Sequence, residues 1–253
     1  MNRSVFALVA AMLISQPTIA QVPSIKESEL FQTGDGWHEI VVENQSASSI
    51  VALHAPLECV QADGSRHLDE NGSMDSLYQF SSERDIPPGG SFTVKVHGYS
   101  QCSGGVDAVI FSDGHSEGDS KQIDRIYDRR RGIYVGLEFA IPLLKGIASG
   151  EMNTQDVIAL LERQSTSMSI DMSRSMADRS GEGWAYDLTL STLRHQTSFR
   201  TRSDYTPNRQ PLVDDLAKAK NISREQAVAI VVMNKLKEWH SELEGHTSPP
   251  HPE

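Results

Sequence analysis

Four acidic side chains lie around two glycines between residues 113 and 124 and are the clearest candidates for chemistry. The acids are Asp113, Glu117, Asp119 and Asp124, and the glycines are Gly114 and Gly118. Hard carboxylate oxygens on a flexible loop suit calcium. The D-x-[DN]-x-[DN]-G spacing of an EF-hand is absent, and loops at strand ends are also acidic because acidic residues favour turns and solubility. The pattern therefore indicates a candidate calcium site, with a structural loop as the alternative.

A second acidic loop, residues 63–71, is a further calcium candidate through Asp63, Asp69, Glu70 and Asn71. The chain has nine histidines, but none shows the H-E-x-x-H spacing that places two zinc ligands on one helix face. No Gly-rich phosphate loop occurs. We therefore expect no cofactor, and spacing alone names no catalytic residue. A serine triad stays open, because triads are defined by geometry across the fold.

Cys59 and Cys102 are the only two cysteines of the chain. If the chain is exported, as its first twenty residues indicate, a disulfide is the expected state. It would close a loop of about 44 residues and stabilise the fold by about 4 kcal/mol on the chain-entropy argument. A catalytic thiol is the alternative, but no cysteine-protease signature surrounds either residue.

The charge of the chain is concentrated in its first half. The whole chain has a net charge of -11, whereas residues 120–253 contain equal numbers of basic and acidic residues. An acidic surface repels phosphate backbones and anionic lipid headgroups. We therefore expect no nucleic-acid partner, and solubility explains the acidic surface.

Arg129, Arg130 and Arg131 form the only basic run, and it follows Asp124 and Asp128. One interpretation is a solvated helix face with local ion pairs. The other is that the triplet contacts the acidic first half and holds the two halves of the chain together.

Alternating apolar and polar residues predict strands in the first half. We expect strands at 37–44 and 50–54 paired as a hairpin, a short strand around Leu77, Tyr78 and Phe80, and strands at 92–97 and 106–111. Short strands at this spacing predict an antiparallel β-sandwich at residues 35–118, similar to immunoglobulin-like or fibronectin-like modules. A barrel is the alternative.

Helical periodicity begins near residue 120 and predicts a helical region over residues 120–245, giving an α+β protein. We expect one helix that ends or kinks at Pro142, another at 154–168 behind an Asn153 or Thr154 cap, and a last one with a Ser223–Gln226 capping box. Polar loops are expected at 173–183 and 197–211, and a disordered tail at 246–253. The apolar stripe of the last helix faces the core or a partner helix.

The first twenty residues have the pattern of a cleavable secretory signal. Arg3 precedes an apolar run at 5–14, and a polar stretch ends at Ala20. The run is shorter than the roughly 20 residues that span a bilayer, which argues against the alternative of a membrane anchor. Residues 133–148, the richest later candidate, are interrupted by Glu138, Pro142 and Lys145. We expect a periplasmic or extracellular product with no membrane span in the mature chain.

The chain also resembles uncharacterised secreted bacterial proteins of the acidobacterial type. The segments that carry this resemblance are Ile86-Pro87-Pro88-Gly89, residues 108–114, Gly118-Asp119 and Arg129-Arg130-Arg131. They extend over about a third of the mature chain. The resemblance implies secretion and no known activity.

These patterns favour an exported, non-enzymatic binding or structural module with a protein or glycan ligand. That preference rests on fold-level analogy. The alternative is a secreted hydrolase whose site lies at the junction of the two halves. A junction pocket with a nucleophile within hydrogen-bond reach of a histidine would favour the hydrolase, and a flat junction would favour the binding module. His195 is the only histidine between residues 120 and 239 of the predicted helical region.

Overall fold

A computed structural model of the protein describes residues 22–69, 73–78, 85–195 and 210–249. The predicted signal peptide at 1–20 lies outside these residues. The described chain contains antiparallel sheets followed by five helices, which confirms the α+β class. The strands are β1 (Ile25–Glu27), β2 (Phe31–Gln32), β3 (Trp37–Asn44), β4 (Ile50–His54), β5 (Leu57–Val60), β6 (Arg66–Asp69), β7 (Met74–Asp75), β8 (Ser91–His97), β9 (Gln101–Gly104), β10 (Ala108–Phe111) and β11 (Ser116–Gly118). The helices are α1 (Ser120–Ser149), α2 (Thr154–Ser169), α3 (Met176–His195), α4 (Gln210–Lys220) and α5 (Arg224–Leu243).

The first sheet is built around β3, which pairs with β1 and β2 along one edge and with β8 along the other. Its side chains alternate as the sequence pattern of 37–44 predicts, since His38, Ile40 and Val42 are buried. On β8, Val94 and Val96 are buried as well. These side chains belong to one apolar core shared with the remaining strands.

The second sheet has the order β11-β10-β4-β7, and the third has the order β6-β5-β9. The predicted hairpin between residues 37–44 and 50–54 is wrong, because β3 and β4 belong to different sheets. All five residues of β4 are buried. A strand covered on both faces must lie between two layers, so β4 cannot occupy an edge beside β3.

The second sheet separates the first sheet from the helices. Leu53 and Phe111 point into the core shared with the first sheet. Ala52 and Ile110 point the other way and pack against Tyr127 of α1. The predicted strand around residues 77–80 lies instead at β7, since Leu77 and Tyr78 form a turn after it and Phe80 is outside the described residues.

Helix α1 is central to the helical region. It begins at the Asp119 cap, whose side chain accepts a hydrogen bond from the Lys121 N–H, and it ends at Gly150. Pro142 lies inside it, so the helix does not end there, and the alternative of a kink at Pro142 stays a prediction. The buried residues of α1 form one core with those of α2, α3 and α5.

The caps of α2 and α5 are confirmed. Asn153 caps α2 through its side chain, and Ser223 and Gln226 form the predicted capping box of α5. The apolar stripe of α5 is buried within the chain, where Val232, Leu236 and Trp239 join the helical core. This position favours the core interpretation of the stripe over a partner helix.

The predicted loop at 173–183 is wrong from residue 176 onward, because α3 begins at Met176. Gly181 and Gly183, which the predicted polar loop included, both lie in the helix. A Cβ on Gly181 would lie 2.2 Å from the Arg129 carbonyl oxygen, and one on Gly132 would lie 1.8 Å from the Asp178 carbonyl oxygen. The glycines therefore allow α1 and α3 to approach closely, and this packing outweighs the low helix propensity of glycine.

Replacing Gly181 by alanine is expected to lower the free energy of unfolding by about 1–3 kcal/mol, because the new methyl group meets backbone atoms of α1. Gly183→Ala is the matched control, since its Cβ would meet only the flexible end of Met168. That variant is expected to stay within about 1 kcal/mol of the wild type. Chemical denaturation measures both, and equal stabilities for the two variants would contradict the close approach.

Helix α1 is the one helix of the described chain that is long and apolar enough to cross a membrane by length and composition. In the folded protein, 44% of its most apolar 18-residue window is buried against other parts of the chain. A core helix of a soluble protein passes the same test. The expectation of no membrane span therefore stays a prediction.

Candidate functional site

A cavity of about 440 Å³ lies between the second sheet and the helices. This size is within the roughly 300–1,000 Å³ of ordinary small-molecule sites. We call it the junction pocket. Its sheet side includes His54, Ser73, Asp75 and Tyr78, and its helix side includes Gln122, Arg125 and Arg129 of α1 with Ser180 and Trp184 of α3. The junction of the two halves is therefore concave.

A buried ion pair joins the helices to the sheet behind this pocket. Arg130 of α1 donates to both carboxylate oxygens of Asp75 on β7, with Nε–Oδ2 at 2.7 Å and Nη2–Oδ1 at 3.1 Å. The Arg130 side chain is 0% exposed and that of Asp75 is 4% exposed. Such bidentate pairing fixes the orientation of both groups. The two halves of the chain are thus held together by a directional contact.

The basic triplet divides its contacts. Arg130 makes the contact with the first half that one interpretation of the sequence predicted. Arg131 instead pairs with Asp128 and Asp178 in the helical region. Arg129 donates to the Ser180 hydroxyl at 3.2 Å and lines the junction pocket. Arg130 therefore bridges the halves through an ion pair, and Arg129 contacts Tyr78 of the first half as well.

Arg125 and Arg129 lie one helical turn apart on α1, and both line the pocket. Helical residues four positions apart share a face, which explains why the two guanidinium groups reach the same cavity. The third arginine of this neighbourhood, Arg130, already neutralises Asp75. Arg125 and Arg129 therefore place two guanidinium groups in the lining of the pocket, in a chain whose net charge is -11.

Two aromatic side chains line the pocket, one on its sheet side and one on its helix side. Tyr78 and Trp184 contact each other edge to face with ring centroids 5.4 Å apart. Burial raises the pKa of Tyr78 well above its ordinary value, so the phenol stays neutral across the physiological range. An apolar ring surface therefore adjoins the two arginines.

A histidine and an aspartate form a close pair at the sheet wall. The Nδ1 atom of His54 lies 2.7 Å from Oδ1 of Asp107. The His54 side chain is 10% exposed. Because a carboxylate is an acceptor, Nδ1 is the donor in this pair, and in the neutral form of the ring Nε2 is then the acceptor nitrogen. Ser73, a neighbour on the adjacent strand, lines the same pocket.

The candidate calcium residues make contacts within the protein. Asp113 accepts from the Ser48 hydroxyl and from His115, Glu117 accepts from Ser24, and Asp119 caps α1. Asp124 is exposed on α1. The described residues contain no group of three or more His, Cys, Asp or Glu side chains placed to hold a metal. The calcium sites stay predictions.

Hydrogen bonds from the Ser48 hydroxyl and from His115 lower the pKa of Asp113 to about 2. Since this value is below the 3.8 of an unperturbed aspartate, the group stabilises the fold above pH 3.8 and loses that effect as the pH falls through about 2. Ser48→Ala is expected to raise the pKa of Asp113 towards 3.8. Carboxyl NMR titration measures it, with Asp63, held by Ser65, as the internal control that should not move. An unchanged Asp113 midpoint would contradict this assignment.

The second acidic loop is divided in the structure. Asp63 accepts hydrogen bonds from Ser65, and Asp69 accepts one from the Tyr99 hydroxyl. Glu70 and Asn71 lie outside the described residues. His195 is exposed at the end of α3 and does not line the junction pocket.

Sequence reasoning missed one G-x-S-x-G pentapeptide, which extends from Gly114 to Gly118 with Ser116 at its centre. In hydrolases this motif places the serine on a sharp turn between a strand and a helix. Here it joins β10 to β11 in an antiparallel hairpin, and Ser116 is exposed. The pentapeptide therefore lacks the setting that its usual function needs.

Cys59 and Cys102 form the predicted disulfide. They lie directly opposite each other on β5 and β9 of the third sheet, with Cα atoms 4.1 Å apart. Cys59 is 0% exposed. The bond therefore joins neighbouring strands, and the catalytic-thiol alternative loses both of its thiols.

Comparison of the chain with protein families, with curated proteins and with solved structures found no match.

Proposed function

We propose that this protein is exported and binds a small anionic ligand in the junction pocket. The observation that supports this most directly is the convergence of Arg125 and Arg129 on one concave cavity in a strongly acidic chain. Guanidinium groups bind carboxylates and phosphates through paired hydrogen bonds that are stronger than those between neutral groups. This proposal assigns the binding-module interpretation a site, the junction pocket, and a ligand class, a small anion.

The lining that the structure describes contains one carboxylate, Asp75. Both of its oxygens are bonded to Arg130. Since the local dielectric is lower than that of water, an anion placed between Arg125 and Arg129 gains more than it would at the surface.

The aromatic side chains favour a ligand with a ring. Tyr78 and Trp184 offer apolar surface beside the arginines. A carboxylate on a sugar ring meets both requirements, because the ring packs on an aromatic side chain and the acid pairs with arginine. Among the glycan ligands expected from the sequence, we therefore propose an acidic monosaccharide or a similar ring acid as the ligand.

We also propose that the strands form an immunoglobulin-like sandwich. The first sheet and the other two sheets share one apolar core, as two packed sheets do. The disulfide departs from the immunoglobulin pattern, because it joins adjacent strands of one sheet and not the two facing sheets. Its presence supports export, since disulfides persist in oxidising compartments.

Thermal-shift and calorimetric titration with glucuronate, with glucose as the neutral match, test the ligand charge. We expect glucuronate to raise the melting temperature and glucose to leave it unchanged. Arg129→Gln should weaken glucuronate binding at least about tenfold, because a hydrogen bond to a charged group contributes about 1.5–3 kcal/mol. Arg194→Gln is the matched control, since Arg194 pairs with Glu162 on the helix surface.

Two results would contradict the proposal. One is equal binding of glucuronate and glucose. The other is unchanged glucuronate affinity in the Arg129→Gln variant, provided that circular dichroism shows the variant to be folded.

A further inference from the structure

We propose that Ser73, His54 and Asp107 form a serine hydrolase triad in the wall of the junction pocket. The expected substrate is an ester whose acid portion carries a negative charge. The substrate class rests on the proposed anion binding, whereas the triad itself rests on strand register and on the His54–Asp107 contact.

The register of the second sheet brings the three residues together. On β4 and β7, Ala52 pairs with Asp75 and Leu53 pairs with Met74. Continued by one residue, this antiparallel register places Ser73 directly opposite His54. The Ala55 N–H donates to the Ser73 hydroxyl at 3.1 Å, which confirms that the two strands stay adjacent there. Residues directly opposite in an antiparallel pair have Cβ atoms about 4.5–5.5 Å apart and share a face.

Asp107 approaches His54 from the opposite side. On β10 the residue paired with His54 is Ala108, and Asp107 precedes it. Its carboxylate accepts the Nδ1 proton of His54. The order across the sheet is therefore serine, histidine, aspartate, with the imidazole between its two partners. A carboxylate at Nδ1 sets the tautomer in which Nε2 accepts a proton.

The serine is placed for activation on binding. The Ser73 hydroxyl oxygen accepts the Ala55 N–H, so its own hydrogen remains to be donated. Ser73 and His54 are not hydrogen-bonded to each other in this structure. Catalytic hydrogen bonds are often long before substrate binds and shorten in the complex. Both side chains line the junction pocket.

The reaction proceeds by acyl transfer to Ser73 and then to water. The Ser73 oxygen attacks the ester carbonyl carbon while His54 Nε2 takes the hydroxyl proton. The bond to the leaving oxygen breaks, and that oxygen takes the proton from His54 and departs as an alcohol. Water then gives a proton to His54 and attacks the acyl-serine. The acid is released, and the proton returns to Ser73.

Labelling with a fluorophosphonate probe tests the nucleophile. The probe modifies activated serines and carries no carboxylate, so labelling does not depend on the anion-binding arginines. We expect peptide mass spectrometry to find the phosphonate on Ser73 of the folded mature chain. Heat-unfolded protein should not be labelled.

Two variants assign the roles. Ser73→Ala should abolish labelling, and Asp107→Asn should slow labelling by about a thousandfold or more through loss of the correct histidine tautomer. Ser116→Ala is the matched control, because Ser116 stands in the G-x-S-x-G pentapeptide but lies on an exposed hairpin. It should be labelled like the wild type. Circular dichroism confirms folding of each variant.

Modification of Ser116 or of no serine in the folded wild type would overturn the triad. Unchanged labelling of Asp107→Asn would overturn it as well. The proposed function can fail while the triad stands. If Ser73 is labelled but 4-nitrophenyl hemisuccinate and 4-nitrophenyl acetate are cleaved equally fast, the triad is supported and the preference for an anionic substrate is contradicted. If glucuronate binds but Ser73 is not labelled, the anion-binding pocket is supported and the triad is overturned.

Discussion

Replacing Arg130 by methionine is expected to lower the free energy of unfolding by about 3–5 kcal/mol, which is the usual cost of breaking a buried pair from one side. The substitution removes both hydrogen bonds to Asp75 and leaves its carboxylate buried and 4% exposed. Chemical denaturation of the mature chain measures the loss. This is the largest effect that we expect from a single side chain.

The double variant Arg130→Met with Asp75→Leu removes both charges of the ion pair while apolar side chains still fill its space. The Nη1 atom of Arg130 is buried and has no hydrogen-bond partner within the described part of the chain. Because removing both charges also removes this unsatisfied donor, we expect the double variant to recover most of the stability. The control Arg194→Met breaks only a surface pair and should cost less than about 1 kcal/mol. Equal losses in the control and in Arg130→Met would contradict the buried contact.

Removing the disulfide is expected to cost about 4 kcal/mol, because the bond closes a long loop in the unfolded chain. The variant replaces both Cys59 and Cys102 by alanine. Guanidinium denaturation with and without dithiothreitol measures the same difference on the wild type. The midpoint of the wild type should fall under reducing conditions.

The alanine variant supplies the control, since its midpoint should not respond to dithiothreitol. The wild-type midpoint could also stay unchanged in dithiothreitol although thiol counting confirms that the disulfide is reduced. That result would show that the bond does not stabilise the fold.

Local patterns predicted the strands and caps well where side-chain alternation decides the structure. Strand β3 matches the predicted range 37–44, and β4 matches 50–54. Ser223 and Gln226 lie at the spacing that a capping box requires, and both hydrogen bonds form. In each case the sequence pattern that predicts the element extends over only a few residues along the chain.

Contacts between distant segments caused the errors. The hairpin prediction failed because a polar turn after β3 allows either a return in the same sheet or a crossing to the next layer. The available signal in the sequence was the apolar run of β4, which does not alternate and which is typical of a strand buried on both faces. Gly181 lies in the segment predicted as a polar loop, and only the backbone of α1 beside it explains the helix.

The junction pocket was not predictable for the same reason. Its lining comes from strands and helices separated by up to more than a hundred residues in the sequence. The one available signal was the basic triplet, which pointed to contact between the halves but not to Arg125. His54 and Ser73 meet only through strand pairing, which no local spacing reveals.

The most direct test of the anion pocket is NMR of the arginine side chains during titration with glucuronate and with glucose. We predict that the Nε–Hε signals of Arg125 and Arg129, assigned by single substitution to lysine, shift and saturate with glucuronate alone. The signal of the surface residue Arg194 should stay in place. Signals at Arg125 and Arg129 that do not move, or that move together with Arg194, would show that no anion binds between the sheet and the helices.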